Sequence, residues 1–294
     1  MTTSRTTKAL PPRVLATETP EQAAANRLAR AQRDAQVRGV SSIDEMRAAI
    51  RQASRTLPAI AAVPRLRAPG AAQFRERAAQ GLPFLIEGVV NRWPLAAQPH
   101  SILRERHGHM AVRARVGDYI STAFAPDRAM RDMTMAAYLD LAEGSEGLPP
   151  YLGNLELKEL NSMCHWPGYF DKMGPPRFWI GPAGTLTPLH CDYDDNIFAQ
   201  VWGEKRIFLS PPHHDEFLYV KEASAMLFGS PFNPESPDYA AYPLARQATM
   251  IEVVVRPGDM LYVPAGWYHQ VHALTFSLSS NRWARGVPFV MRQA

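Results

Sequence analysis

Short runs of alternating or continuous apolar residues, broken by Gly, Pro and Asp, fill the second half of the chain. Residues 196–202 (NIFAQVW) and 205–210 (KRIFLS) read as two strands joined by a Gly203-Glu204 turn, and Pro211-Pro212 ends the pairing because proline cannot donate to a ladder. Further on, 250–255 (MIEVVV), 260–263 (MLYV), 267–274 (WYHQVHAL) and 276–283 (FSLSSNRW) read as four more, with turns at Pro257-Gly258-Asp259 and Pro264-Ala265-Gly266. Many short strands at this spacing predict a mainly β fold, a double-sheet jelly roll or small barrel.

The first third is patterned differently. Residues 1–20 are polar with prolines and are expected to form a disordered tail, and 21–62 a helical extension. Within it, 21–38 favours helix by its Ala, Arg and Gln content. A second helix is expected to begin at Ser42, capping the amide of Glu45, with Ile43, Met46, Ile50, Ala53 and Leu57 along one face. That stripe must be buried, on the barrel or on a second copy of the chain. From residue 63 the pattern changes again: 68–81 reads as a turn and a helix, 83–89 as a strand, Trp93-Pro94 as a turn, and 133–142 as a helix capped by Thr134. No internal repeat is visible.

Composition narrows the class. The chain has 294 residues, 46% of them apolar, enough for one large core plus an extension. Two cysteines exclude a disulfide framework and lack zinc-ligand spacing. No apolar run approaches a membrane span, and the N-terminus has no apolar signal segment, so a cytoplasmic protein is expected. The net charge of +4 is uneven: residues 1–80 carry 14 Lys/Arg against 6 Asp/Glu, leaving 18 against 22 for the rest. Without interleaved aromatics or a nucleic-acid motif, the basic extension reads as a solvated face, and a nucleic-acid partner is not expected.

One constellation names a chemistry. His190 and Asp192 are two apart, so on a strand both side chains reach the same face while Cys191 points away. His269, 77 residues after Asp192, supplies a second imidazole. Two histidines and one carboxylate make the facial triad of a non-haem Fe(II) site with open positions. His272 has the opposite strand parity and should face away. His213 and His214, after two prolines, are expected in an exposed loop. His107 and His109 have no evident partner in sequence.

The run 178–212 (FWIGPAGTLTPLHCDYDDNIFAQVWGEKRIFLSPP), together with 257–269 (PGDMLYVPAGWYH) and Asn281-Arg282-Trp283, resembles the JmjC or cupin-like class of Fe(II)- and 2-oxoglutarate-dependent oxygenases. Within that class it is similar to the asparaginyl hydroxylase that inhibits hypoxia-inducible factor and to related single-domain JmjC protein hydroxylases. The resemblance implies a double-stranded β-helix core with an N-terminal helical extension, and a catalytic domain over 63–294. It assigns His190, Asp192 and His269 to iron, with O2 as co-reactant. Thr187, three before the first ligand, and Lys205, fifteen after it, match the residues that hold the distal carboxylate of 2-oxoglutarate in the family, an ammonium and a hydroxyl suited to that task. Tyr151 matches the tyrosine that joins them, Asn196 an asparagine near the cosubstrate, and Asn281 a polar residue beside the metal.

The implied reaction is oxidation of a C–H bond with release of succinate and CO2, ending in hydroxylation of a protein, peptide or small molecule. N-methyl-lysine demethylation by the same chemistry and a non-catalytic metal-binding cupin are the alternatives. The asparaginyl hydroxylase has two glutamines where this chain has Asp194 and Asp195, and a Gln-Val-Asp turn where it has Pro231-Phe232-Asn233, so asparagine is not the expected target. Two carboxylates at a pocket mouth would favour a cation or amine-bearing substrate. Trp179, eleven before His190, resembles an aromatic substrate-side residue that could stack on a guanidinium. Dimerisation helices in the hypoxia-factor hydroxylase follow the barrel, where only 11 residues follow Trp283 here. A homodimer is therefore expected through the N-terminal helices.

Overall fold

The computed structural model describes residues 20–124, 128–170, 172–224 and 226–292, and the expected tail lies outside them except for Pro20. Six helices run α1 (Pro20–Arg38), α2 (Ile43–Ser54), α3 (Ala71–Ala78), α4 (Ile102–Glu105), α5 (Met135–Glu143) and α6 (Lys158–Asn161). The strands are β1 (Arg65–Arg67), β2 (Phe84–Glu87), β3 (Ala111–Arg115), β4 (Met130–Thr134), β5 (Leu152–Leu155), β6 (Arg177–Gly181), β7 (Leu186–Asp192) and β8 (Asn196–Trp202). There follow β9 (Lys205–Ser210), β10 (Lys221–Ser224), β11 (Leu227–Gly229), β12 (Ile251–Val255), β13 (Met260–Val263), β14 (Tyr268–Ala273) and β15 (Ser277–Trp283).

Two sheets face each other as a jelly roll. One has the order β1-β2-β13-β8-β15-β6-β5, the other β10-β11-β7-β14-β9-β12. Their inner faces interdigitate through Leu85, Phe198, Leu261 and Val263 on one side and Ile207, Leu209, Val253 and Val271 on the other. The outer face of the first sheet is also covered: Ile197, Ala199 and Val201 pack into a second core with Phe74, Tyr138 and Trp93 from the surrounding helices and turns. Burial on both faces explains why β8 is apolar at nearly every position and alternates only in part. Short elements without periodic pattern, β1, β3, β4, β5, β10 and β11, were not legible in the sequence. Three of them, β3, β5 and β11, contribute Arg115, Asn154 and Leu227 to the lining of the site.

α2 begins where the cap was expected. Ser42 Oγ accepts from the amides of Asp44 (3.2 Å) and Glu45 (3.4 Å), but the Glu45 carboxylate accepts from Ser41 Oγ instead of closing the capping box. Ile43, Met46 and Ile50 are buried against Leu189, Cys191, Tyr193 and Tyr268, on the outer face of the second sheet. Each such side chain contributes about 1.5–3 kcal/mol by leaving water. The stripe is thus covered within its own chain, which removes the α2 face from the expected dimer contact. Leu57 lies beyond the helix end and packs on the inter-sheet core.

The histidines after the double proline are not exposed as expected. Pro212–Phe217 forms a short 3-10 turn under α2, where His214 is buried and His213 pairs through Nδ1 with Ser54 Oγ at 3.0 Å. An extension folding back onto the loop was not readable from the loop's own residues. Among the described residues, no helix is long and apolar enough to cross a membrane.

Candidate active site

β7 and β14 are neighbours, and His269 lies directly opposite His190. The ring centroids are 4.2 Å apart, and one ligand atom from each of His190, Asp192 and His269 falls within 4.8 Å of the others. This is the one such group of three among the described residues. Each imidazole is oriented by a backbone carbonyl, His190 Nδ1 against Pro188 O (2.8 Å) and His269 Nδ1 against Trp267 O (3.0 Å). A carbonyl only accepts, so both Nδ1 atoms carry the proton and both Nε2 lone pairs are free for a metal. Burial and the neighbouring His269 hold His190 below its ordinary value, which keeps it in the neutral, ligating form. Asp192 accepts from Trp283 Nε1 at 2.9 Å, which fixes the carboxylate's direction.

A register shift explains the spacing of Thr187. Val271 pairs with Thr187 while His269 pairs with His190, so two residues of β14 span three of β7. The bulge at Pro188-Leu189 reverses strand parity, and Thr187 joins His190 and Asp192 in lining the cavity despite its odd offset. Proline suits the place, since its missing donor costs nothing where the ladder is broken.

Lys205 shares its face of β9 with Ile207 and Leu209 and is 1% exposed. Its Nζ donates to Ser279 Oγ at 2.7 Å and to Tyr151 OH at 3.5 Å. Burial pushes its pKa down from 10.5 to about 7, with no carboxylate offsetting that cost. Tyr151 is pushed up to about 12, chiefly by burial, so it is a neutral donor. The Thr187 hydroxyl is buried beside the Tyr151 phenol and makes no hydrogen bond of full geometry. Asn281 Nδ2 donates to Asn196 Oδ1 (2.9 Å), and its own Oδ1 is left unpaired. A buried ammonium, a buried hydroxyl and a phenol converging beside three metal-ligand side chains fit a metal-chelating keto-diacid, whose far carboxylate Lys205, Thr187 and Tyr151 could hold.

Trp179 lines the same cavity, 5.7 Å from the ring of Trp283. His272 is directed away, with Nδ1 2.8 Å from Glu235 Oε2. His107 and His109 do have a partner that the sequence did not reveal, since both meet the carboxylate of Glu159, 50 or more residues on.

Asp194 and Asp195 require correction. Asp194 is held by the Arg38 guanidinium of α1 through Nε (2.8 Å) and Nη2 (2.5 Å), and burial raises its pKa to about 6. Asp195 is 1% exposed and accepts from Tyr262 OH (2.7 Å), Ala265 N (3.1 Å) and Phe289 N (2.8 Å). Neither lines the cavity. The turn after β7 points both outward from the metal, one to the extension and one into the structural core. Arg115, Phe124, Arg128 and Trp283 line the cavity, and Ser279 accepts from Lys205, without having been singled out as site residues in the sequence. Arg115 arrives because its backbone pairs with that of Tyr151 in both directions (2.8 and 3.0 Å), a contact between segments with no periodic signal.

The Cupin-like domain family model matches residues 70–287. Among curated proteins, the chain is 29% identical to Lysine-specific demethylase 8 of Xenopus tropicalis over 76% of this chain and 52% of that protein. It is 39% identical to Lysine-specific demethylase JMJ30 of Arabidopsis thaliana over 69% and 50%, respectively. It is 30% identical to Bifunctional peptidase and (3S)-lysyl hydroxylase JMJD7 of Homo sapiens over 71% and 79%. The chain spans about half the length of these two demethylases. With the triad, the buried lysine and these relatives together, the chain belongs to the cupin-like family, in the JmjC class that uses Fe(II), 2-oxoglutarate and O2.

Proposed function

We propose that the protein is a 2-oxoglutarate-dependent dioxygenase that hydroxylates an unactivated C–H bond of a protein, peptide or small-molecule substrate, in a reducing, cytoplasmic setting. The observation that carries this reading is Lys205: an ammonium buried in the roll, beside the His190, Asp192 and His269 cluster, with no carboxylate counter-ion among the described residues. Bound iron supplies the oxidative chemistry, coupling loss of CO2 from the cosubstrate to oxygen insertion. The chain's own residues bind and orient. His190, Asp192 and His269 present three donors on one side and leave the other side open; Lys205, Thr187 and Tyr151 fix the cosubstrate's far end; Trp283 holds Asp192 still; Phe198, Leu261 and Val263 exclude water from the interior.

The amine-bearing substrate class was recommended by Asp194 and Asp195, and their engagement in the fold removes that support. N-methyl-lysine demethylation is kept as a second reading because three relatives are named lysine-specific demethylases. Anaerobic titration with Fe(II) and 2-oxoglutarate should develop a weak visible charge-transfer band, and admission of O2 should yield succinate. Absence of both would sink the proposal, and substrate-dependent formaldehyde release would favour demethylation over a stable alcohol.

A further inference from the structure

We propose that the substrate of this site carries an anionic group, a carboxylate or a phosphate, that docks on Arg115 and Arg128. The inference rests on the oxygenase reading above and names its substrate class. Among the described residues, the charged side chains lining the cavity are Arg115, Arg128, Lys205 and Asp192. Arg115 is 6% exposed and rigidly seated. Its guanidinium lies flat on the β5 backbone at Gly153, where a β-carbon would come within 2.8 Å of Cζ, and Cζ is 5.6 Å from the Tyr151 ring centroid. Its Nε is buried without a hydrogen-bond partner. Arg128, half-buried, donates through Nη1 to Ala123 O (2.9 Å) beside Phe124, whose ring packs 5.5 Å from His190. The two guanidiniums are close enough to repel, and Arg128 adds to the burial that holds Arg115 below the usual arginine range.

A guanidinium does not shed its proton, so two of them facing a cavity whose one carboxylate, Asp192, belongs to the metal-ligand group form an unsatisfied charge pair. The cosubstrate does not relieve it. A 2-oxoglutarate dianion offsets Lys205 and the charge that Asp192 leaves on Fe(II), and both guanidiniums remain. Planar forks of this kind match carboxylate and phosphate oxygens bidentately. A lysine, arginine or N-methylammonium target would instead be repelled, the reverse of what Asp194 and Asp195 suggested from sequence.

The test uses the full chain loaded with Mn(II) and an unreactive oxalyl analogue of 2-oxoglutarate, and reads binding from the fluorescence of the cavity tryptophans Trp179 and Trp283. The probes are N-acetyl amino-acid amides, and hexapeptides of one sequence, with Asp, phosphoserine, Asn or Lys at the variable position. The Asp or the phosphoserine probe, in at least one set, should bind about tenfold or more tighter than Asn, a difference of about 1.4 kcal/mol, and Lys should bind worst. The two acidic arms separate carboxylate from phosphate. Arg115→Gln should abolish the acid preference, and Arg128→Gln, a half-buried site less able to disturb folding, should reduce it several-fold. Equal or tighter binding of Asn or Lys in both sets would overturn the inference. So would acid binding that the cosubstrate analogue displaces competitively, which would place the arginines on the cosubstrate. Failure of the oxygenase reading is seen separately, as absence of the Fe(II)–2-oxoglutarate band on the same preparation.

Discussion

Lys205 is the residue on which the site's electrostatics turn. Its folded pKa near 7 lies below the ordinary 10.5, so between those values the unfolded chain binds more protons and the ligand-free fold gains stability as pH rises. Lys205→Met should abolish that slope in denaturant titrations at pH 7 and 9, and raise ligand-free stability near pH 7 by about 1–3 kcal/mol. The same substitution should weaken 2-oxoglutarate binding severely. In the native protein, the dianion needs the ammonium, so 2-oxoglutarate affinity should fall as pH rises above about 7, with proton uptake on binding. Calorimetry in buffers of different ionisation enthalpy would detect it, and pH-independent affinity from 6 to 9 would contradict the clamp. Trp283→Phe removes the donor to Asp192 and should cost about 10–100-fold in metal affinity. His190→Ala or Asp192→Ala should eliminate the charge-transfer band altogether.

At the scale of elements, the N-terminal extension is part of the domain's packing. Arg38 of α1 and Asp194 in the β7–β8 turn form a bidentate pair with the arginine nearly enclosed, and Met46 of α2 is 1% exposed. Asp194→Asn should destabilise the fold by about 2–4 kcal/mol, because it strands a buried guanidinium. It should leave 2-oxoglutarate affinity unchanged, and an affinity change with unchanged stability would restore Asp194 to the site. Met46→Ala should cost about 2–4 kcal/mol by opening a cavity against Cys191 and Tyr268. The bulge in β7 shows what spacing alone leaves out. His190 and Asp192 share a face by simple parity, whereas Thr187 joins them only because Pro188-Leu189 insert an extra residue into the ladder.

For the molecule as a whole, the two sheets bring the ligands together from β7 and β14, the lysine from β9 and its partners Tyr151 and Ser279 from the opposite sheet and its approach. Ligands that bridge the sheets bind only the closed roll. Saturation with Mn(II) and 2-oxoglutarate without O2 should therefore raise the thermal midpoint, with about 2.7 kcal/mol of added stability at a hundredfold excess over Kd. An unchanged midpoint would mean that the cavity does not hold the pair.

The sequence by itself determined the strands within 196–210 and 250–283, the capped helices at Ser42 and Thr134, and the shared face of His190 and Asp192, while the resemblance to the cupin-like class added His269, Thr187 and Lys205. The strands, the caps and the His190–Asp192 pair are fixed by local periodicity, capping chemistry or strand parity, and these survive without knowledge of neighbours. Tertiary structure alone decided the charge of the pocket. Asp194 and Asp195 look available in one dimension, but packing gives one to Arg38 and the other to three donors of the core. Arg115, Arg128 and Ser279 look like ordinary strand and loop residues until long-range pairing carries the two arginines to the cavity and the serine to Lys205. Which polar groups remain unpaired after folding depends on every neighbour they meet, and that accounting closes only in three dimensions.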